Sequence, residues 1–171
     1  DLSGLDTFNC VVNQILVAGD GSSAANRVRP SGTLLLARTN FLALTSATSG
    51  NSLILGNTSN NGNSLAYGEM GILQLGQTNV ILSDSGMIVG GVKGTALLVF
   101  NSTMPDPQVV FRDLTGTGRQ GAWYIGNNNA ATANNSTVGT VDLTGGTVDA
   151  LVGTIYVGRG QQNPVGSGLT T

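Results

Sequence analysis

Short apolar runs punctuate the whole chain, and Gly, Asn, Ser and Thr separate them. Residues 32–40 (GTLLLARTN) and 71–79 (GILQLGQTN) align almost position for position, and two more apolar runs follow each of them. Runs of this length between turn-forming residues are typical of strands. The pattern therefore predicts a repeated unit of three short strands, which is the signature of a repeat architecture.

The three-strand unit occurs five times, with copies beginning near residues 1, 32, 71, 95 and 139. Corresponding runs resemble one another, so like strands can stack and each coil can bury its inward side chains on its neighbours. We predict an all-β fold: a right-handed parallel β-helix (β-solenoid) of about five coils, with three short strands in each. Residues 1–171 would form one domain, or a segment of a longer repeat array. A β-sandwich is the main alternative.

Glycine follows the third strand at a corresponding place in each copy. The five positions are Gly19, Gly56, Gly90, Gly126 and Gly158. Glycine tolerates a positive φ, so it can turn the chain out of the sheet there. The segment after this glycine varies most in length, which predicts that one corner of the solenoid carries the insertions.

Side chains alternate along a strand, so the alignment predicts which of them face inward. In the first strands these are Leu34 and Leu36, Leu73 and Leu75, Leu98 and Phe100, Val141 and Leu143. In the second strands they are Phe8 and Cys10, Phe41 and Ala43, Val80 and Leu82, Val109 and Phe111, Val148 and Ala150. In the third strands they are Ile15 and Val17, Leu53 and Leu55, Met87 and Val89, Trp123 and Ile125, Ile155 and Val157. Cys10 is thus predicted to be a core residue.

The outward positions of the third strand carry no charge: they are Leu16, Ile54, Ile88, Tyr124 and Tyr156. The second strand is similar in part, with Leu42, Ile81 and Val110. A solvent-facing sheet is normally polar. Either a long loop covers this face, or the face is an interface with another chain. Tyr124 and Tyr156 could also stack on sugar rings.

The composition limits the function. Only 9% of residues are charged and the net charge is −2, so we expect no nucleic-acid partner. No apolar run is long enough for a transmembrane helix, and we expect no membrane insertion. No signal peptide is apparent, and the single cysteine excludes an internal disulfide framework. Low charge with abundant Asn, Thr and Ser is typical of secreted proteins at the cell surface, of which this would be the mature chain or a piece.

Candidate chemistry is sparse. The chain has no histidine, which excludes Ser-His and Cys-His catalysis. Asp84, Arg112 and Asp113 could form the catalytic site of a polysaccharide-degrading β-helix, but the favoured interpretation is turn carboxylates that bind the local backbone or pair with Arg. Asp20 to Ser22 and Asp142 to Gly146 are weak calcium candidates, because no Gly-Gly-x-Gly-x-Asp repeat is present. We expect no cofactor. In a eukaryotic source, four asparagines would be glycosylation acceptors: Asn57, Asn101, Asn134 and Asn135.

The ends of the chain show no cap, although natural solenoids normally carry one. The tail, with Gly168 and Leu169, resembles the opening of a sixth coil. Two explanations are open: the chain is a fragment of a longer repeat protein, or subunits stack head to tail into a filament, as open edges and non-closing contacts allow.

Four segments carry a resemblance to a known family. They are DLSGLDTF at residues 1–8, RPSGTLLLARTN at 29–40, VGTVDLTGGTVDAL at 138–151 and YVGRG at 156–160. They resemble segments of large secreted repeat proteins with autotransporter-associated β-strand repeats, found in environmental bacteria, with similar chains in some fungi. The resemblance implies a β-solenoid at or outside the cell surface, and it implies no catalytic residues.

Together these patterns predict a non-enzymatic extracellular structural protein: a solenoid subunit that stacks on copies of itself into a surface filament, matrix or adhesin. One alternative is a carbohydrate-binding module that holds extracellular polysaccharide on the third-strand face. The other is a β-helix enzyme that degrades polysaccharide.

Overall fold

The computed structural model describes residues 1–19, 31–46, 51–57, 70–92, 94–128 and 137–160. These residues form fourteen strands and no helix. The strands are β1 (Thr7–Val12), β2 (Ile15–Val17), β3 (Gly32–Leu35), β4 (Thr39–Leu44), β5 (Leu53–Leu55), β6 (Met70–Leu75), β7 (Thr78–Ser83), β8 (Gly86–Val89), β9 (Thr95–Phe100), β10 (Gln108–Arg112), β11 (Gln120–Ile125), β12 (Val138–Asp142), β13 (Thr147–Ala150) and β14 (Val152–Val157).

The strands belong to three sheets, and each coil contributes one strand to each sheet, except that the first coil has no strand in the first of them. The first sheet has the order β12-β9-β6-β3, the second β1-β4-β7-β10-β13, and the third β14-β11-β8-β5-β2. All the strand pairs are parallel and join successive coils. The predicted parallel β-solenoid of about five coils is therefore confirmed. The described strands do not form the antiparallel hairpins of a β-sandwich.

The first coil departs from the predicted unit at its first run. Residues 2–5 form a turn rather than a strand. The backbone N–H of Leu2 nevertheless donates to the carbonyl of Leu35 over 2.8 Å, so this segment still stacks in register on the second coil.

The core lies between the three sheets. Its fully buried members come from all of them and are the apolar residues Leu36, Leu42, Leu44, Leu53, Leu55, Leu73, Leu75, Ile81, Met87, Val89, Leu98 and Phe111. The predicted inward pairs of the first and third strands are confirmed in the middle coils, as at Leu73 and Leu75. In the last coil, Ile155 and Val157 share the register of buried residues below them, but they are 53% and 75% exposed.

The prediction for the second strand is wrong in two coils. Phe41 is 40% exposed, whereas Leu42 on its other side is fully buried. The same one-residue shift occurs in β7, where Ile81 is buried and Val80 lies on the outer face; a one-residue slip moves every side chain to the opposite face. The second strand was predicted to expose Leu42, Ile81 and Val110. Of these, Leu42 and Ile81 are in the core. Only Val110 was assigned correctly in that set.

Two buried asparagines account for this register. The side-chain nitrogen of Asn40 donates to the carbonyl of Ala37 over 2.7 Å and to the side-chain oxygen of Asn79 over 2.8 Å. The Asn79 nitrogen donates in turn to the carbonyls of Gly76 and Gln108, both over 2.9 Å. Buried amides are tolerated where their hydrogen bonds are made. This ladder holds the corner and sets the phase of the strand after it.

The glycine corners are confirmed in four coils. Gly56, Gly90, Gly126 and Gly158 have φ values of 56°, 69°, 67° and 67°. The first coil differs: Val17 pairs with Leu55, so Ala18 occupies the position of Gly56, and Ala18 itself has a φ of 54°. The prediction for Gly19 is thus wrong by one residue.

Candidate functional sites on the third sheet and at the solenoid ends

The outer column of the third sheet forms as the alignment predicts. Leu16, Ile54, Ile88, Tyr124 and Tyr156 are successive partners in the strand register. Leu16 and Tyr156, at the two ends, are each 40% exposed, and Ile54 is only 9% exposed. The column is therefore covered in part of its length and open at its ends. Gly168 and Leu169, also proposed as interface residues, lie outside the described residues.

The two tyrosines of this column stack on each other. Their ring centroids are 5.0 Å apart and the ring planes differ by 6°. The guanidinium of Arg159 lies 5.5 Å from the Tyr124 centroid and 5.2 Å from the Tyr156 centroid. Cation–π contacts of this kind hold aromatic rings in place. Because each ring covers one face of the other, the pair offers fewer open ring faces than a flat sugar-binding platform needs.

The last described coil presents an edge that we call the upper edge, made of β12, β13 and β14. Its inward positions are apolar and open: Val148 is 42% exposed, and Ile155 is more exposed still. The first coil forms the lower edge, made of residues 2–5, β1 and β2. Its inward residues include Phe8, Cys10 and Ile15, which are half-buried and pack against the core. Open strand edges are templates for further pairing.

The two edges match when the strand register is continued. The column through Phe8 ends at Val148, and the column through Cys10 ends at Ala150. The column through Ile15 ends at Ile155. A second copy placed on the upper edge in the same register would therefore set apolar side chains on apolar side chains at these inward positions.

The acidic candidates are engaged by turns. The Asp113 carboxylate accepts hydrogen bonds from the Thr115 hydroxyl over 2.7 Å and from the Gly118 N–H over 2.9 Å. These bonds, led by that of Thr115, lower the pKa of Asp113. Asp84 accepts from the Leu114 N–H over 3.0 Å, so it binds the same turn.

Arg112 bonds to neither of these carboxylates. Its guanidinium pairs instead with the carboxylate of Asp149 in the next coil, over 2.5 Å, and donates to the Asp149 carbonyl over 2.9 Å. The three residues of the proposed acidic site therefore have contacts that stabilise a turn and join two coils. This arrangement agrees with the favoured interpretation, in which Asp84 and Asp113 are turn carboxylates and Arg112 forms an ion pair.

In the part of the chain that the structure describes, no group of three or more acidic, cysteine or histidine side chains is placed to hold a metal ion. Asp142, one of the calcium candidates, accepts from the N–H and the hydroxyl of Thr144 over 3.1 Å and 2.7 Å, and these bonds lower its pKa. Asp20 to Ser22 lie outside the described residues. Across the described ranges there is also no helix long and apolar enough to cross a membrane.

A turn motif escaped the sequence reasoning. Asp1, Asn101, Asp113 and Asp142 each accept a hydrogen bond from the hydroxyl of a Ser or Thr two residues later. The signal was visible as a repeated Asp/Asn-x-Ser/Thr pattern. Of the four sequon asparagines, Asn101 is thus bonded within its own turn and Asn57 is half-buried. Asn134 and Asn135 lie outside the described residues.

No family model, no curated protein and no solved structure matches the chain. The resemblance to secreted proteins with autotransporter-associated β-strand repeats therefore stays a prediction.

Proposed function

We propose that this protein is an extracellular structural protein, a solenoid subunit that stacks head to tail on copies of itself into a surface filament, matrix or adhesin. The observation that carries the proposal is the match between the upper and lower edges in the continued register. Secretion is proposed from the composition, with 9% charged residues and many Asn, Thr and Ser.

Stacking would complete the solenoid at both edges. It would pair strands β13 and β14 with β1 and β2 of the next copy, and it would cover Val148, Ile155 and Val157, which now expose apolar surface. Burial of apolar surface stabilises by about 25 cal/mol per Å². Because the two edges are different surfaces, the contact does not close, and each added copy presents a new upper edge. Five coils at about 4.8 Å each give an axial repeat of about 24 Å.

One column opposes this contact. The Leu2–Leu35 hydrogen bond places Asp1 in the column that ends at Asp142, so the contact would bring two carboxylates together. Both lie at exposed turns, where salt screens such repulsion. We therefore expect assembly to increase with ionic strength.

No catalytic residue is proposed, because Asp84 and Asp113 are engaged by turn donors. The carbohydrate-binding alternative would rest on Tyr124 and Tyr156. Their stacked faces give it little support, since a sugar ring binds to an open aromatic face.

Disulfide trapping tests the head-to-tail register directly. Cys10 is the only cysteine of the chain. In the proposed stack it lies against Ala150 of the neighbouring copy, within the reach of a disulfide. Inside one chain these two positions are four strand spacings apart, roughly 19 Å, which is too far to bridge. We expect oxidised Ala150→Cys to give a ladder of covalent multimers on non-reducing denaturing gels.

Two variants serve as controls. Thr147→Cys places the thiol on the opposite face of the same strand, and we expect little multimer from it. Adding Cys10→Ser to Ala150→Cys removes the proposed partner and should abolish the ladder. An equal yield of multimer from all three variants, or particles that stay monomeric by electron microscopy at high concentration and high salt, would overturn the proposal.

A further inference from the structure

Beyond assembly, the stacked tyrosines of the third sheet form a site of another kind. We propose that Tyr124 and Tyr156 are an oxidative cross-linking pair, which a one-electron oxidant of the peroxidase class converts to a dityrosine that joins the fourth and fifth coils. The proposal does not depend on head-to-tail stacking, because both rings belong to one chain.

The strand register brings the rings together. Tyr124 and Tyr156 are direct partners in the parallel pair β11–β14, so their side chains leave the sheet at the same height and in the same direction. Their centroids are 5.0 Å apart and the planes are nearly parallel, so the two phenol rings lie face to face. Arg159 lies beside both rings and restrains them as a pair.

The site is also accessible. Tyr156 is 40% exposed and Tyr124 is half-buried on the outer face of the sheet. A small oxidant, or an enzyme that removes electrons at the surface, can therefore reach the phenols. The open side of Tyr156 leaves room for the rings to tilt from stacking distance to bonding distance.

The chemistry balances with hydrogen peroxide as the oxidant. Each phenol gives up one electron and one proton, and the two resulting radicals couple through a carbon ortho to each oxygen. Each coupled carbon then loses its hydrogen as a proton while the phenol oxygen regains one, which restores both aromatic rings. In sum, two tyrosines lose two hydrogen atoms and one hydrogen peroxide becomes two waters.

Proximity selects the partner. Two rings held in contact behave as if each met the other at a local concentration on the order of 1 mM or more. In a solution of about 1 μM chain, coupling within the chain should exceed coupling between chains by roughly a thousandfold. The product would tie β11 to β14 and stop the fifth coil from separating from the fourth.

The test treats the folded chain at about 1 μM with a haem peroxidase and hydrogen peroxide. We expect dityrosine fluorescence, and a monomer whose mass is lower by two hydrogen atoms. Trypsin should leave both tyrosines in the peptide 120–159, since no Lys or Arg lies between Arg119 and Arg159. Further cleavage before Asp142 and Asp149 should yield the peptides 120–141 and 149–159 joined by the new bond.

Three controls make the result decisive. Tyr156→Phe keeps the ring but removes the hydroxyl, so it should lose the intramolecular product. Tyr67 is the third tyrosine of the sequence, and Tyr67→Phe should keep the product. Unfolding the chain in urea before oxidation should reduce the yield of the 124–156 link, because the folded register positions the rings. The proposal is overturned if the link is equally abundant in urea, if Tyr67 supplies the main product, or if only dimers between chains form.

Discussion

The corner glycines allow a prediction in which two physical effects can be separated. Gly90 and Gly126 both end a third strand, and their φ values are 69° and 67°. They differ in what a methyl group would meet. At Gly126 the nearest atom to an added Cβ is 3.6 Å away, which is ordinary contact. At Gly90, which ends the third coil, the added Cβ would overlap the carbonyl of Val138 at the start of the fifth coil and lie 2.7 Å from the Cα of Gly139.

The magnitudes follow from these two environments. A left-handed backbone costs an L-residue about 1–2 kcal/mol, and the stiffer unfolded chain of an alanine variant returns about 0.4–1 kcal/mol. Gly126→Ala should therefore lower the free energy of unfolding by about 1 kcal/mol. Gly90→Ala should add an overpacking cost of about 1–3 kcal/mol, because the atoms in the way are backbone and cannot turn aside.

Urea denaturation followed by circular dichroism measures both variants against the unchanged chain. We expect the midpoint to fall for each and to fall clearly further for Gly90→Ala. Equal losses would refute the close approach between the end of the third coil and the start of the fifth at this corner. No loss in either variant would refute the left-handed corners altogether.

Three further changes test other contacts. Ala18→Gly should stabilise the chain by about 0.5–1 kcal/mol in the same urea assay, since Ala18 has a φ of 54° that glycine adopts without strain. Asn79→Leu should destabilise by about 1–3 kcal/mol in thermal unfolding, because the carbonyls of Gly76 and Gln108 lose buried donors; an unchanged melting temperature would contradict the ladder. The third change is in pH: Asp113 has a folded pKa below its ordinary 3.8, so its contribution to stability is present above that value and is lost as pH falls through the lowered pKa. With no histidine, stability should stay level between about pH 8 and 5 and decline in more acid solution, less steeply in Asp113→Asn; a transition near pH 6 would show that another group controls stability.

The parallel solenoid could be predicted because its cause is visible in the repeats. Corresponding strands carry similar residues, so the alignment of the copies places like on like. In the first strands, Gln74 and Asp142 mark the outward face, whereas in the third strands the alignment alone gives the inward positions. The second strand of the middle coils lacks an alternation of apolar and polar residues. Phe41 to Leu44 are all apolar, so the pattern fits either phase, and the inward position of Asn40 contradicts the expectation that polar residues face out.

The candidate sites likewise have one part that the sequence predicts and another part that it does not. The outer column of the third sheet follows from register alone, so Tyr124 and Tyr156 were placed together correctly. The contact of Arg159 with these rings could not be predicted from the sequence. Arg159 follows the corner at Gly158, and the alternation of side chains along a strand does not say where a side chain beyond a corner lies. The turn bonds of Asp84 and Asp113 depend on individual backbone donors, which only the folded turn positions.

The distribution of polar contacts along this solenoid bears on where its function lies. In the middle coils, polar side chains in the interior bond to a neighbouring coil, as the Gln120 side-chain nitrogen does when it donates to the Ile81 carbonyl over 2.9 Å; the Gln120 oxygen accepts from the Trp123 indole of its own strand, also over 2.9 Å. Such residues join one coil to the next but meet nothing outside. Among the described residues that remain open are the apolar inward positions of the upper edge, and the Tyr156 ring at its margin. Because a coil is stabilised chiefly by the coil stacked on it, the surface most able to bind is the one where the next coil would lie.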